Sequence, residues 1–326
     1  MTMDNSKSIS KHSRKRLSQN ATLAAAAYLM WPLMSTLPLI LSSSQDLPTH
    51  YTKVFKPQWY HYDATNDDEI PKPLGLSLGI LAVFIGHVLV VQLFYIYCYS
   101  YTNSINNQNN THNKPKSIQT AGARSYNFVE GLQSHLSQPE GFVLLSLYLT
   151  LTWMLDLMPP SYYSFEGSIQ WSRVFACLVT QDGIQYMMHR LEHSISPEFY
   201  KASHKPHHKY TNPRIFDAFD GSITDTVLMI LLPLYATANI VSDCNVWTYM
   251  SFGSMYANWL VLIHSEVVLP WDGMFRKIGF GTPGDHHVHH KLFKYNYGHL
   301  FMWFDQLGGT YRDPQQYAPK LFQDGV

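Results

Sequence analysis

Residues 74–97 read L-G-L-S-L-G-I-L-A-V-F-I-G-H-V-L-V-V-Q-L-F-Y-I-Y, with no formal charge and a single histidine, His87. A helix crosses the hydrocarbon of a bilayer with roughly 20 such residues, so this stretch predicts a transmembrane span and sets the fold class. Working outward, the segment before it carries Asp63, Asp67, Asp68 and Glu69, and the polar Asn/Gln/Ser stretch after it carries Lys114, Lys116 and Arg124. Further upstream a second charge-free run, Ala21 to Leu41, follows a tail with Lys7, Lys11, Arg14, Lys15 and Arg16 against Asp4 alone. Its length and the lack of a cleavage site favour a retained anchor over a signal peptide. By the positive-inside rule the tail and the 100–125 loop are cytoplasmic and the acidic loop lumenal. The sequon at Asn109 is then out of reach of glycosylation, and the one at Asn20 lies too near the membrane to be informative.

Composition agrees with burial in something other than water. The 326 residues are 46% hydrophobic and only 14% charged, against about 25% in a typical soluble domain. A mean hydropathy of -0.15 would also suit a soluble, tyrosine-rich protein, so the local runs decide. A net charge of zero gives no indication of nucleic-acid binding. Three scattered cysteines, Cys98, Cys177 and Cys244, support neither a disulfide framework nor a thiolate metal site. Two further apolar pairs follow: Phe142 to Met158 with Ser168 to Met188, turning at Pro159 and Pro160, then Thr226 to Val241 with Val246 to Ile263. Asp156, Arg173 and Asp182 interrupt the first pair. The expected fold is all-α: an integral membrane helical bundle of about 4–6 apolar spans, its chain returning to the cytoplasm near residues 190 and 264.

Eleven of seventeen histidines fall between positions 189 and 299. In H-R-L-E-H, His189 and His193 are spaced i, i+4, one face of a helix. In H-K-P-H-H, His204, His207 and His208 are spaced i, i+3, i+4, a second helical face if Pro206 lies in a first turn. The same spacing returns as His286, His289 and His290 in H-H-V-H-H, and His264 closes an apolar helix. Imidazole suits zinc, copper, iron and nickel alike. A zinc site needs three or four ligands, so nine nitrogens exceed one ion and suit two. His287 and His299 stand evenly between ligand, ligand support and plain polar residue. His12, His50, His61, His87, His112 and His135 are isolated and read as ordinary surface or core histidines. Glu192, Asp217, Asp220, Asp225, Asp285 and Asp305 lie near enough to orient ligand rings, with helix capping an equal alternative for each.

The order H-x-x-x-H, H-x-x-H-H, a lone His, H-x-x-H-H resembles the fatty acid hydroxylase and sterol desaturase superfamily over about residues 140–315. The stretch from His286 to Arg312, with its N-Y-G-H segment and W-x-D…G-T ending, is similar to sterol C-5 desaturases. Those enzymes carry another histidine four residues after the lone one, where this chain has Val268; its H-S…P-W form looks more like sterol C-4 methyl oxidases. The superfamily also holds sphingoid-base hydroxylases and an alternative squalene epoxidase group, which a hybrid of this kind fits. The resemblance implies a cytoplasmic, histidine-rich helical cap holding a diiron centre on a multi-pass endoplasmic reticulum protein. It also implies two Fe ions and O2, with electrons from NAD(P)H through cytochrome b5 or a reductase. His189, His193, His204, His207, His208, His264, His286, His289 and His290 would be ligands, with His287 or His299 filling a vacancy in the usual set. No H-P-G-G haem segment occurs, so the donor is expected to be a separate protein. The domains expected are a basic tail (1–20), a membrane hairpin with polar loop (21–125) and a fatty acid hydroxylase-like catalytic domain (126–326). The implied activity is oxidation of a membrane lipid: sterol desaturation or methyl oxidation, or squalene epoxidation. Fatty acyl or sphingoid-base hydroxylation is one alternative, a histidine-rich metal transporter another and a non-catalytic structural relative a third. Trp171, Met187, Met229, Tyr235, Trp247 and Trp259 are candidates to line a substrate tunnel, with lipid-facing packing the simpler role for each.

Overall fold

A computed structural model describes residues 30–63, 66, 68–106, 118, 128–136, 139–266, 268 and 272–317. The apolar runs within them form six helices: α1 (Trp31–Ser43), α2 (Pro73–Asn106), α3 (Pro139–Met154), α4 (Trp171–Ser194), α5 (Ile223–Ile240) and α6 (Val246–Ile263). Among the described residues no strand forms, and an isolated bridge joins Phe280 to Phe301. The basic tail, the first part of the Ala21 to Leu41 run, both sequons and nearly all of the loop around residue 115 lie outside the described residues.

Side-chain contacts fix the direction of each helix. Ser254 on α6 donates to the Ser35 carbonyl of α1 at 2.7 Å, and the Trp31 and Trp259 rings lie 5.3 Å apart, so α1 is antiparallel to α6. His87 of α2 meets Asn258 at 2.8 Å while Gly79 faces Met250, which makes α2 parallel to α6. Trp153, at the end of α3, donates to the Lys72 carbonyl just before α2, so α3 runs back. Gln170 N–H donates to Thr248 at 2.9 Å and the Tyr256 hydroxyl to Asp182 at 2.9 Å, which aligns α4 with α6. α5 starts with Asp225 against His204, beside the end of α4, and the chain just after it meets the start of α4 through Asp243 and Arg173 at 3.1 Å, so α5 runs the other way. The helices therefore alternate, and α4 and α6 finish at the same end, from which α1 starts. That common end carries the histidines.

α6 is the axis of the bundle, buried along nearly its whole length. Helices approach it and one another through small residues: a Cβ on Gly86 would stand 2.4 Å from the Ser35 carbonyl oxygen, so only glycine lets α1 and α2 cross this closely. In α5 a π-helical turn, Val227–Leu231, precedes Pro233, whose missing N–H leaves the ordinary i to i−4 ladder incomplete. Outward faces are apolar: Leu81, Phe84 and Ile85 on α2, Val143, Leu147 and Leu151 on α3, and Val227, Leu232 and Ile240 on α5 are all exposed. An exposed apolar surface of this extent is not stable against water and marks contact with another apolar phase or partner. Among the described residues two stretches are long and apolar enough to cross a membrane by themselves, Pro73–Gln92 and Ile223–Ile240, with Val143–Met154 apolar but shorter. Cys177 and Cys244 are buried free thiols whose sulfurs stand 3.7 Å apart at the end of the bundle away from the histidines, while the Cys98 side chain lies outside the described residues.

Candidate metal centre

α4 continues to Ser194, so His189 and His193 sit one turn apart on its last turns, as their spacing predicts. His286, His289 and His290 lie on α7 (Pro283–Leu292), where Thr282 and Asp285 form a reciprocal capping box and Pro283 occupies the first turn. Asp285 thus serves as a cap and does not orient a ring. The middle box departs from expectation. Pro206 does not open an α-helix: His204 lies in a turn after the short helix Pro197–Ala202, and His207–Lys209 form a 3-10 turn. That change of path sends neighbouring histidines to different places.

The nine histidines gather into two groups. His189, His193, His204, His208 and His289 bring nitrogens within 4.8 Å of one another, and His207, His264, His286 and His290 do the same. The second and third boxes each contribute to both, so the groups are adjacent. All nine are buried except His193, which is half-buried. Burial and, for most of them, neighbouring imidazoles push these rings below the usual histidine range, to about 3 for His193 and His204. They are neutral at ordinary pH and keep a lone pair each.

Hydrogen-bond partners decide where that lone pair points. Nδ1 of His189 donates to the Tyr297 carbonyl at 2.7 Å, of His289 to Tyr295 at 2.8 Å, of His264 to Leu260 at 2.6 Å and of His207 to Asp220 at 3.1 Å. His204 Nδ1 faces Asp225 Oδ1 at 2.6 Å, with Glu192 at 3.6 Å. With Nδ1–H committed, Nε2 is the bare nitrogen. Bare nitrogens then face each other: His189 and His204 at 2.9 Å, with both Nδ1 atoms on acceptors, leave no proton to share. Such an arrangement is repulsive unless a cation lies between. The other close Nε2 pairs are His208 with His289 at 3.1 Å, and His286 with His264 and with His290 at 3.0 Å each. Two donors about 2.1 Å from one ion and at right angles lie about 3.0 Å apart, whereas a tetrahedral pair lies about 3.4 Å apart. The spacing lets one ion lie between each pair, and the donor set fits the metals that imidazole favours.

Two histidines expected as reserves fall outside both groups. His287 turns away and donates to the Pro283 carbonyl at 2.9 Å. His299 stacks on His189 with centroids 5.2 Å apart and lies equally near His286, touching each group without joining either. Val268 does not offer a replacement; it packs with Ile118 and Val288 in a small apolar cluster. The carboxylates divide in the same way. Asp225 holds His204, and the Asp220 backbone holds His207. Asp217 pairs with Arg214, and Asp305 accepts from Tyr297 and Gly298 N–H, steadying the loop that presents the Tyr297 carbonyl to His189. Glu192 is buried beside His204 and Asp225, and burial, followed by Asp225, pushes its carboxyl up to about 8.

Beside the second group lies a narrow cavity of about 90 Å³, lined among others by Leu145, Leu149, Phe219, Met229, Gly253 and Leu260. Leu260 supplies the carbonyl that holds His264, and Phe219 precedes Asp220, which holds His207, so the cavity borders that group. Among the described residues no charged side chain lines it, and Gln181, bonded to Thr237, is the one amide. Of the residues expected at a tunnel, Met229 lines the cavity, Trp247 and Trp259 are buried core, and Trp171, Met187 and Tyr235 are exposed on the outside.

Comparison with known proteins places this geometry among relatives. The fatty acid hydroxylase family profile matches residues 174–310. A protein of Phaeodactylum tricornutum named alternative squalene epoxidase is 61% identical over 304 residues, covering 93% of this chain and 84% of that one. The Delta(7)-sterol 5(6)-desaturase of Saccharomyces cerevisiae is 33% identical over 148 residues, 42% of this chain and 35% of its own length. That of Candida glabrata is 34% identical over 151 residues, 43% and 36%. Against the sterol desaturases the match therefore spans less than half of either protein. No solved structure matches.

Proposed function

The chain belongs to the fatty acid hydroxylase and sterol desaturase superfamily, and from that membership we propose that it is a membrane oxygenase of the sterol pathway whose reaction is the epoxidation of squalene. Family and relatives indicate an oxidoreductase with a histidine-rich metal site. The carrying observation is the pair of imidazole groups with inward-facing bare nitrogens, set at the border of an apolar cavity without a charged wall. A substrate with a carboxylate or ammonium head would need a counter-charge there, which speaks against fatty acyl and sphingoid-base substrates. A pure hydrocarbon needs none. The long match to a relative named for squalene epoxidation favours this reading over sterol C-5 desaturation, as does Val268 standing where those desaturases carry a histidine.

The nine grouped histidines are the ligands in this reading, shared between two iron ions. Bound there, the irons supply the reductive activation of O2 that side chains lack. Epoxidation takes one oxygen atom into the alkene and the other into water, consuming two protons and two electrons from outside. The chain's own residues do the placing: carbonyls of Tyr295, Tyr297 and Leu260 and the Asp225 carboxylate fix the ring tautomers. The cavity wall keeps water from the hydrocarbon and holds one double bond within reach. The exposed apolar faces of α2, α3 and α5 would meet lipid. The histidine end, where α1 begins after the basic tail, would face the cytoplasm of the endoplasmic reticulum. Residues 126–326 would form the catalytic unit.

Expression in cells lacking squalene epoxidase, sterol C-5 desaturase or sterol C-4 methyl oxidase, one at a time, followed by sterol profiling, tests the assignment. Rescue of the first alone is expected; rescue of either other strain instead transfers the assignment, and rescue of none removes the sterol reading. Metal analysis of the purified protein should give about two irons per chain.

A further inference from the structure

A second concavity opens at the histidine end, against the other histidine group. His193 and His208 form part of its wall, and around them stand Ser194, Ile195, Ser196, Tyr200, Phe293 and three lysines, Lys205, Lys209 and Lys294. All three lysines are exposed, and no acidic residue lines the pocket. Lys209 is tied to Asp220 at 2.8 Å, but among the described residues Lys205 and Lys294 have no acidic partner. Exposed Lys201 adds to the same face, and Glu198 is the acid on the adjoining helix. His193 is also the one grouped histidine that is not fully buried. Two aromatic rings share the wall with these imidazoles: Tyr200, 4.8 Å from His193, and Phe293, 4.9 Å from His208. Phe293 is held there in the left-handed region at φ 60°, which a bulky side chain seldom adopts. Ile195, 59% exposed, gives the pocket an apolar edge.

We propose that this pocket is the docking site of an acidic one-electron carrier protein, whose electrons enter beside His193 and His208. The inference rests on the oxygenase reading, which needs two external electrons for each O2 consumed and leaves the apolar cavity to substrate. Uncompensated lysines around a concavity attract an acidic surface from a distance and orient it on arrival. The apolar edge and the two rings supply the dry centre that a protein interface needs inside its charged rim. An anionic bilayer surface is the other occupant lysines attract, but a lipid headgroup plane is flat, whereas these lysines ring a recess with imidazole in its wall.

The experiment uses the iron-loaded full chain in neutral phosphatidylcholine nanodiscs and the pre-reduced haem domain of cytochrome b5 as the acidic probe. Reoxidation of the probe is followed by stopped flow for the wild type, for Lys205→Glu with Lys294→Glu, and for the milder Lys205→Gln with Lys294→Gln. The charge-reversed variant is expected to lose about tenfold or more in rate at low ionic strength, with the neutral variant intermediate and the salt dependence flattened in both. Single turnover of protein reduced anaerobically with dithionite at high ionic strength, freed of the excess reductant and then mixed with O2, should stay at the wild-type level in every variant. Wild-type probe kinetics in the charge-reversed protein would overturn the proposal. So would a loss confined to binding of phosphatidylserine vesicles, which would make the surface a lipid contact. A parallel loss of dithionite turnover would overturn it too, by showing damage to the metal centre. Failure of dithionite turnover in the wild type would instead refute the oxygenase reading itself.

Discussion

Replacing Asp182 by alanine should unfasten the loop that carries part of the metal centre. This carboxylate is fully buried and accepts from four donors: the Tyr256 hydroxyl at 2.9 Å and the backbone N–H groups of His299 at 3.3 Å, Leu300 at 2.8 Å and Phe301 at 2.9 Å. A hydrogen bond to a charged group contributes about 1.5–3 kcal/mol, and a buried donor left without a partner costs about 1–3 kcal/mol. Four such losses, partly relieved by relaxation, put Asp182→Ala at about 4–8 kcal/mol, comparable with the whole stability of many domains. Asp182→Asn keeps one acceptor oxygen but presents an NH2 group to a donor, for a cost of about 2–4 kcal/mol. The adjoining residues include the Tyr297 carbonyl that fixes His189 and the His299 ring that lies against both histidine groups, so iron should be lost along with stability. Thermal unfolding in detergent, read with the iron content of the surviving fraction, is the assay. An alanine variant that melts within a degree or two of wild type and keeps both irons would refute the idea that this carboxylate anchors the loop.

Three further outcomes follow from the geometry. Asp225→Asn, which weakens the grip on His204 Nδ1, should lower iron affinity by about 10–100-fold in chelator competition, whereas His287→Ala, whose ring turns to Pro283, should leave iron stoichiometry unchanged. A Cβ on Gly253 meets nothing within 4 Å. Gly253→Ala should therefore be neutral or stabilising by up to about 1 kcal/mol in α6, while Gly253→Leu should keep the fold and raise KM by filling the cavity; equal kinetics for the two would place the substrate elsewhere. For the metal-free protein, His193, His204 and His299 are pushed from 6.5 down to about 3, chiefly by burial. Below pH 6.5 the unfolded chain binds more protons at these rings than the folded one, so stability should fall steadily as pH drops towards about 3; urea midpoints that stay flat between pH 6.5 and 4 would contradict it.

Spacing along one helix was readable, and spacing between helices was not. The i, i+4 pairs His189/His193 and His286/His290 each stay together in one group because both members share an α-helical face. The i, i+3, i+4 sets do not stay together: His289 parts from His286 and His290, and His207 from His204 and His208. Periodicity states which way a side chain leaves its own element and says nothing of what stands opposite. The carbonyls that fix the tautomers are equally invisible, since every residue has one and only the fold brings that of Tyr297 to His189, 108 positions away. Asp182 read as a charge interrupting a span; in the bundle it is the acceptor that makes a buried turn possible. Tunnel candidates chosen for size and apolarity fell mostly on the core or the outer face, because a cavity is lined by what is missing from a position as much as by what fills it, as at Gly253.

With a hydrocarbon in the apolar cavity and electrons entering at the lysine-ringed pocket, as proposed, the alternation of helices would keep the two paths apart. α4 and α6 deliver their terminal histidines to one end, but α6 carries His264 to the group that borders the apolar cavity, and α4 carries His193 to the group that reaches the lysine-ringed pocket. Between the two stands α7, whose successive residues His289 and His290 face opposite groups. Since a helix advances about 100° per residue, adjacent positions point in different directions and one short helix serves two ions without bending. Lengthening α7 by a residue between His286 and His289 would rotate His286 away while leaving the pair behind it in place. The loss should then fall first on the cavity-side group, visible as about one iron per chain instead of two; retention of both would show that the two groups are not separate sites.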